Sequence, residues 1–213
     1  MNRSRIRPIA VSLAAAAALL LTACGGGGDE NGGKKSESPR VRKSEAAGSD
    51  RPEMSLPSDV SLVFDKVNVT DPDQAAAMGN ARKFVRAIRH GITKQDVDDP
   101  AYKFYSESRS PAQAYAKDQI EQRVDRGFSI SGEMRFSRTK VSPAENEKSA
   151  VVSFCSDSSK LYSKEVKTEK VHRTEPSISD YNSWQVLMTP AKNSEGPWRA
   201  QKVRVEEKAV ECR

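Results

Sequence analysis

The sequence predicts an α+β fold, with N-terminal helices packed on a curved antiparallel sheet behind a leader and a polar tether. Three observations predict it. Two stretches between Asp71 and Gly127 carry apolar residues at helical spacing and open on helix caps. From Phe128 onward apolar residues alternate with polar ones, as on strands with one buried face. The first 59 residues follow neither pattern. Helices first and strands after point to segregated layers rather than an alternating α/β chain. The 213 residues suffice for one domain with appendages. The expected division is 1–23 as leader, 24–59 as tether and 60–213 as the globular body.

The leader begins with Met1 to Pro8, short and positive, and continues as an uncharged apolar run from Ile9 to Leu21. These are the two leading regions of an export signal. Thirteen residues rise roughly 20 Å as a helix, short of the ~30 Å hydrocarbon core, and no basic flank follows. Leu21-Thr22-Ala23-Cys24 comes next. It resembles the lipobox of bacterial lipoproteins: a leucine, two small residues, then a cysteine whose thiol accepts a diacylglyceryl group. The resemblance implies cleavage before Cys24, lipid on Cys24, and attachment to the extracytoplasmic face of the cell membrane. Arg3, Arg5 and Arg7 are spaced, with no Arg-Arg pair, which favours general export over the twin-arginine route.

From Gly25 to about Asp59 nothing reads as an element. Four glycines lead into a mixed run of Lys, Ser, Glu, Pro and Arg with no aromatic residue and almost no aliphatic one. Such a stretch buries too little apolar surface to offset its ordering entropy. As a flexible coil it reaches on the order of 30–35 Å. Lys34, Lys35, Arg40, Arg42 and Lys43 are available to anionic head groups, although interspersed acids oppose them.

The globular body opens with alternation at Val60, Leu62 and Phe64, an entry strand. Asp71-Pro72-Asp73-Gln74 then starts a helix with a capping residue, a first-turn proline and a capping-box glutamine. Its stripe is Ala77, Ala81, Phe84, Val85 and Ile88, and Gly91 is the expected terminator. Asp99-Pro100 leads a short turn carrying Tyr102, Phe104 and Tyr105. Ser110-Pro111-Ala112-Gln113 starts a second helix with the stripe Ala112, Tyr115, Ala116, Ile120 and Val124, stopping at Gly127. Strands follow: Phe128 to Phe136, a segment around Val152 and Phe154, Ser183 to Thr189, and Trp198 to Val210 after the turn Asn193 to Pro197. With Cys24 occupied by lipid, an oxidising compartment leaves Cys155 and Cys212 as an even pair, and a Cys155–Cys212 disulfide is expected.

The helix ending near Gly91, the turn Asp98-Asp99-Pro100-Ala101-Tyr102, the helix ending Arg126-Gly127, the strand Phe154-Cys155-Ser156-Asp157-Ser158-Ser159-Lys160, the segment Arg173-Thr174-Glu175-Pro176 and the closing Cys212 together resemble small lipoproteins of actinobacteria. The resemblance covers Thr70 to Arg213. It implies a nuclear-transport-factor-two-like fold, a cone of helices against a bent sheet, and it implies no assigned activity. Enzymes of that fold use acids, histidines or tyrosines facing the cavity.

The supply of such groups is thin. His90 precedes Gly91, where a helix C-terminus favours a polar or cationic group. His172 lies in the charged segment Lys170-Val171-His172-Arg173 and is expected to be exposed. Neither has a partner at metal-ligand spacing. Asp98-Asp99 are paired acids, but aspartate before proline commonly opens a turn. Neither a phosphate-binding glycine loop nor a Gly-x-Ser-x-Gly elbow is present. Tyr102, Phe104, Tyr105, Tyr115 and Trp184 are candidates to line a pocket for a small apolar ligand, and Trp198 reads as a packing residue. The formal net charge of +6 halves to +3 once Arg3, Arg5 and Arg7 leave with the leader, so no nucleic-acid partner is called for. The expectation is therefore a membrane-anchored, non-enzymatic binding or interaction module of the cell envelope, without cofactor or metal. A partner would be an envelope protein or a small apolar ligand. A cone-fold hydrolase or isomerase using Asp98 or Asp99 is the alternative. An electrostatic module for anionic wall polymers, with salt-sensitive binding, is a third reading.

Overall fold

The computed structural model describes residues 51–144, 148–191 and 196–213, all within one compact unit. Cys24 and most of the tether lie outside the described residues. A strand β1 (Val60–Phe64) precedes three helices: α1 (Pro72–Lys94), α2 (Pro100–Tyr105) and α3 (Pro111–Asp125). The sheet follows as β2 (Phe128–Pro143), β3 (Ala150–Glu165), β4 (Val171–His172), β5 (Tyr181–Thr189) and β6 (Arg199–Glu207). The fold is α+β, with the helices on one face of a mixed, mostly antiparallel sheet in the order β1-β2-β3-β5-β6, with β4 paired to β3.

The helix starts form as the caps dictate. Asp71 Oδ1 accepts from Gln74 N at 2.8 Å, Asp99 Oδ1 from Ala101 N at 2.7 Å, and Ser110 Oγ from Gln113 N at 3.1 Å, each ahead of a proline in the first turn. The Asp99-Pro100 turn is thus the start of a short helix, which buries Tyr102 and Tyr105 in the core.

Four expectations are corrected. First, the sheet is not wholly antiparallel, because β1 runs parallel to β2 in the register Val60↔Gly132 to Phe64↔Phe136. The intervening helices carry the chain back to the same end, as a parallel pair requires. Second, the packed body begins before residue 60. Met54 and Leu56 lie against the core, and Met54 O accepts from Arg86 Nε at 3.0 Å. Two isolated apolar residues in a polar run carry too weak a pattern to be seen in sequence. Third, Gly91 does not end α1. The helix continues to Lys94, and Gln95 takes the left-handed cap with φ 56°. Gly91 serves close approach instead: a Cβ there would lie 2.6 Å from Ile120 Cδ1 of α3. Fourth, the last strand stops at Glu207, and a 3-10 turn, Val210–Cys212, returns the terminus to the sheet.

That return ends in the Cys155–Cys212 disulfide, whose Cα atoms are 5.3 Å apart. Both cysteines are buried with Ala209, and Tyr181 packs beside them. Closing 57 residues stabilises by about 4 kcal/mol on the chain-entropy model.

The two long strands β2 and β3 bend. Their register shifts between Glu133 and Arg135 and again between Ser137 and Lys140, and such bulges turn a strand out of plane. Gly132 just precedes the first shift at φ 106°, where a Cβ would lie 2.1 Å from Lys160 O. Only glycine fits there. A row of rings crosses the bent sheet. Phe64 stacks on Phe136 at 4.5 Å, Phe136 meets Phe154 edge-on at 5.5 Å, Phe154 stacks on Trp184 at 5.7 Å, and Trp184 meets Tyr115 of α3 edge-on at 5.9 Å.

Candidate functional site

The row of rings runs from a filled interior to an open one. At its Tyr115 end lies a cavity of about 620 Å³. Small-molecule sites typically fall at roughly 300–1,000 Å³. Helix α1 contributes Arg89 and Ile92, and α3 contributes Tyr115, Gln119 and Arg123. Ile130 and Met134 of β2, Leu161 of β3 and Trp184 of β5 form the apolar floor. Val203 and Val205 of β6 add to it, while Lys202, Arg204 and Glu207 of the same edge strand are exposed at the rim.

Tyr115, Gln119 and Arg123 are spaced by four residues, which sets them in one row along α3. Ala112, Ala116 and Ile120 form the adjacent row and are fully buried. The core row holds α3 on the sheet, and the neighbouring row is thereby aimed into the cavity. Trp184 is buried and donates from its indole nitrogen to Ser156 Oγ at 2.9 Å. That bond satisfies its polar edge inside the sheet and leaves the ring face as a wall.

The electrostatics of the cavity are unbalanced. Arg89 is half-buried, and its Nη2 reaches only the thioether of Met134, a weak acceptor, at 3.5 Å. Its Nε is buried with no hydrogen-bond partner. Burial pushes the Arg89 guanidinium down from the ordinary arginine range; Tyr115 opposes this and the like charge of Arg123 adds to it. Arg123 donates from Nη1 to Ser163 Oγ at 2.9 Å and is also lowered, by burial and then by Arg126. Among the described residues neither arginine forms a salt bridge. Burial raises the Tyr115 hydroxyl to about 12, against the pull of Arg89. The cavity thus offers cationic donors, a neutral phenol and apolar walls, with a single acid at its rim.

The residues singled out in sequence divide sharply. Of the five aromatic candidates, Tyr115 and Trp184 line the cavity. Tyr102 and Tyr105 are core residues, and Phe104 packs partly buried against the core. Neither candidate acid lines the cavity. Asp98 is exposed and paired with Lys103 at 2.9 Å and Lys117 at 3.8 Å, and its carboxyl is held low first by the hydrogen bond from Lys103. Asp99 is buried, and its Oδ2 lies 2.8 Å from His90 Nδ1. This corrects the placement of His90: the helix runs on past it, and the imidazole ties α1 to the cap of α2 rather than to a helix end. His172, in β4, pairs with Glu165 at 2.6 Å and stands edge-on to Phe128 at 5.8 Å, with its side chain 40% exposed. Trp198 packs against the core and borders a separate hollow beside Asp71, Asp73 and Gln74.

Sequence reasoning missed Arg89, Gln119 and Arg123. The available signal was the four-residue spacing of Tyr115, Gln119 and Arg123 beside the alanine row of α3.

No protein-family model matches the chain, and no curated protein matches it in sequence. Solved structures do align with it. A ketosteroid isomerase-like protein from Erwinia carotovora atroseptica aligns at 11% identity and TM-score 0.40, covering 64% of this chain and 97% of that one. Aln2 from a Streptomyces species aligns at 11% identity and TM-score 0.43, covering 67% of this chain and 96% of that one. A domain of unknown function with a cystatin-like fold from Nostoc punctiforme aligns at 13% identity and TM-score 0.37, covering 65% and 79%. Likenesses of this degree assign neither activity nor ligand to this chain.

Proposed function

We propose that the chain is a lipid-anchored binding domain of the cell envelope, a distant member of the nuclear-transport-factor-two-like cone folds, which holds a small molecule without transforming it. The supporting observation is the cavity. It has the volume of a ligand site, walls of Trp184, Tyr115, Leu161 and Val203, and neither Asp98 nor Asp99 within it. The one acid among its described lining residues, Glu207, is exposed on the edge strand. The disulfide fits an oxidising compartment. The Leu21-Thr22-Ala23-Cys24 motif supplies the anchor.

Two measurements test the proposal. Titration with the neutral dye N-phenylnaphthylamine is expected to saturate and to quench Trp184, and a cavity-blocking Val203→Trp is expected to abolish it. Dye binding indifferent to that substitution would place any site elsewhere. Turnover of an ester probe, lost in Glu207→Gln, would make the protein an enzyme. Cys24→Ala is expected to move the protein from the membrane fraction to the soluble one while the domain stays folded; retention on the membrane would refute the anchor.

A further inference from the structure

The purely apolar ligand expected from the aromatic residues does not explain the arginines. A guanidinium inside a protein ordinarily has a carboxylate or several carbonyl acceptors, because desolvating a cation without them is costly. Arg89 has one thioether and a buried, unbonded Nε, and Arg123 stands at the same cavity as a second cation. Two like charges facing one space repel, and no carboxylate among the described residues pairs with either of them. Glu207 is exposed at the rim and forms no salt bridge with either arginine. Around these cations the lining is mixed: apolar Leu161, Trp184, Val203 and Val205 stand beside polar Gln119, Ser158, Ser179 and Asn182. Tyr115 keeps its proton and stands beside them as a neutral donor.

We infer that the cavity binds a free organic acid, a carboxylate or sulfonate on an apolar or aromatic body, with Arg89 holding the anionic group, Arg123 and Tyr115 supporting it, and the body resting on Trp184 and Leu161. The inference rests on the small-molecule binding reading above and adds the charge of the ligand to it. The planar fork of Arg89 suits the two oxygens of such a group.

Fluorescence titration of the full chain tests this with two probes that share their rings and differ in charge. Anilinonaphthalene sulfonate carries the anion, and N-phenylnaphthylamine does not. Replacing Trp198 by Phe leaves Trp184 as the sole tryptophan reporter. The sulfonate is expected to bind at least about tenfold more tightly than the neutral probe, the factor set by one charged hydrogen bond. Arg89→Met is expected to remove that preference, so that the ratio of the two affinities falls by at least about tenfold, and Arg89→Lys to restore part of it. Arg123→Gln gives a smaller loss in the same direction and serves as the second variant should Arg89→Met not fold. Equal binding of both probes, unaffected by either arginine, would overturn the anion site and leave the binding reading standing. Binding of neither probe, with Trp184 fluorescence unmoved, would overturn both.

Discussion

In the first half of α1, Ala77, Ala81, Phe84 and Val85 share one buried apolar cluster with Phe136, Val152, Val186 and Met188. Beneath its last turns the same helix presents Arg89, and the space opposite is not filled. Both ends of the interior are covered by the same helix and floored by the same strands, yet they obey different rules. One holds the domain together, and the other retains a desolvated cation and an unfilled volume, both of which cost stability. Proteins keep such costs where a ligand offsets them.

The sharpest way to separate the two ends is truncation. Phe84→Ala at the filled end is expected to lose about 3–5 kcal/mol, transfer energy and residual cavity together. Tyr115→Ala at the open end leaves a gap beside existing space and is expected to cost less than half as much. Urea melts of the two variants decide this, and equal losses would erase the distinction. The next largest effect lies at the joint between α1 and α2. Asp99→Ala removes a helix cap and strands the buried His90 Nδ1, and is expected to cost about 2–3 kcal/mol. Asp71→Ala removes a cap alone and is expected to cost about 1 kcal/mol. Matching losses would show that the His90–Asp99 bond adds nothing.

The filled end was legible in sequence and the open end was not, for a physical reason. Core positions announce themselves by periodicity: Ala77, Ala81, Phe84, Val85 and Ile88 form the expected stripe and are all buried. Caps are local, so Asp71 and Ser110 were readable one residue at a time, whereas Asp99 read as a turn opener and caps a short helix. A cavity-lining arginine has no such signature, because Arg89 and the surface cations of α1 look alike until the opposite wall is known. Gly91 shows the same limit. A glycine near a helix end reads as a terminator, and only the position of Ile120 reveals that it permits helix crossing. The parallel β1–β2 pairing was hidden because strand direction depends on where the helices return the chain.

Removing the unpaired cation reverses the usual sign of a mutation. Arg89→Met substitutes an apolar chain of similar length for a guanidinium whose buried Nε has no partner. It is expected to raise stability by about 0.5–2 kcal/mol while abolishing the preference for anionic probes. At the filled end no substitution is expected to stabilise and disable together. A destabilised Arg89→Met would show that the arginine is a structural part of the core, and the contrast between the two ends would fail.

The smallest effect is a pH dependence that belongs to the open end alone. Burial beside the cavity lifts the Tyr115 hydroxyl from an ordinary 10.0 to about 12. The folded state therefore keeps a proton that the unfolded chain releases near pH 10. The sign follows from linkage: the contribution is fully present below pH 10 and is lost as the pH climbs toward 12, because unfolding is then favoured by ionisation. At pH 10 the loss is still under about 1 kcal/mol, since the unfolded tyrosine is only half-ionised there. Tyr115→Phe removes the group, so the stability difference between wild type and variant is expected to be flat from pH 7 to 9 and to shrink above it, each point taken from a urea melt. Tyr102 and Tyr105 are raised as well, and burial leads in both, but they remain in both proteins and cancel in the difference. An anion seated on Arg89 would remove the cation that opposes the rise, and so push Tyr115 higher still. The alkaline loss measured with bound sulfonate should therefore begin at the same pH, which the unfolded tyrosine sets, but continue to higher pH and grow larger than without it, which links the titration of one phenol to occupancy of the cavity.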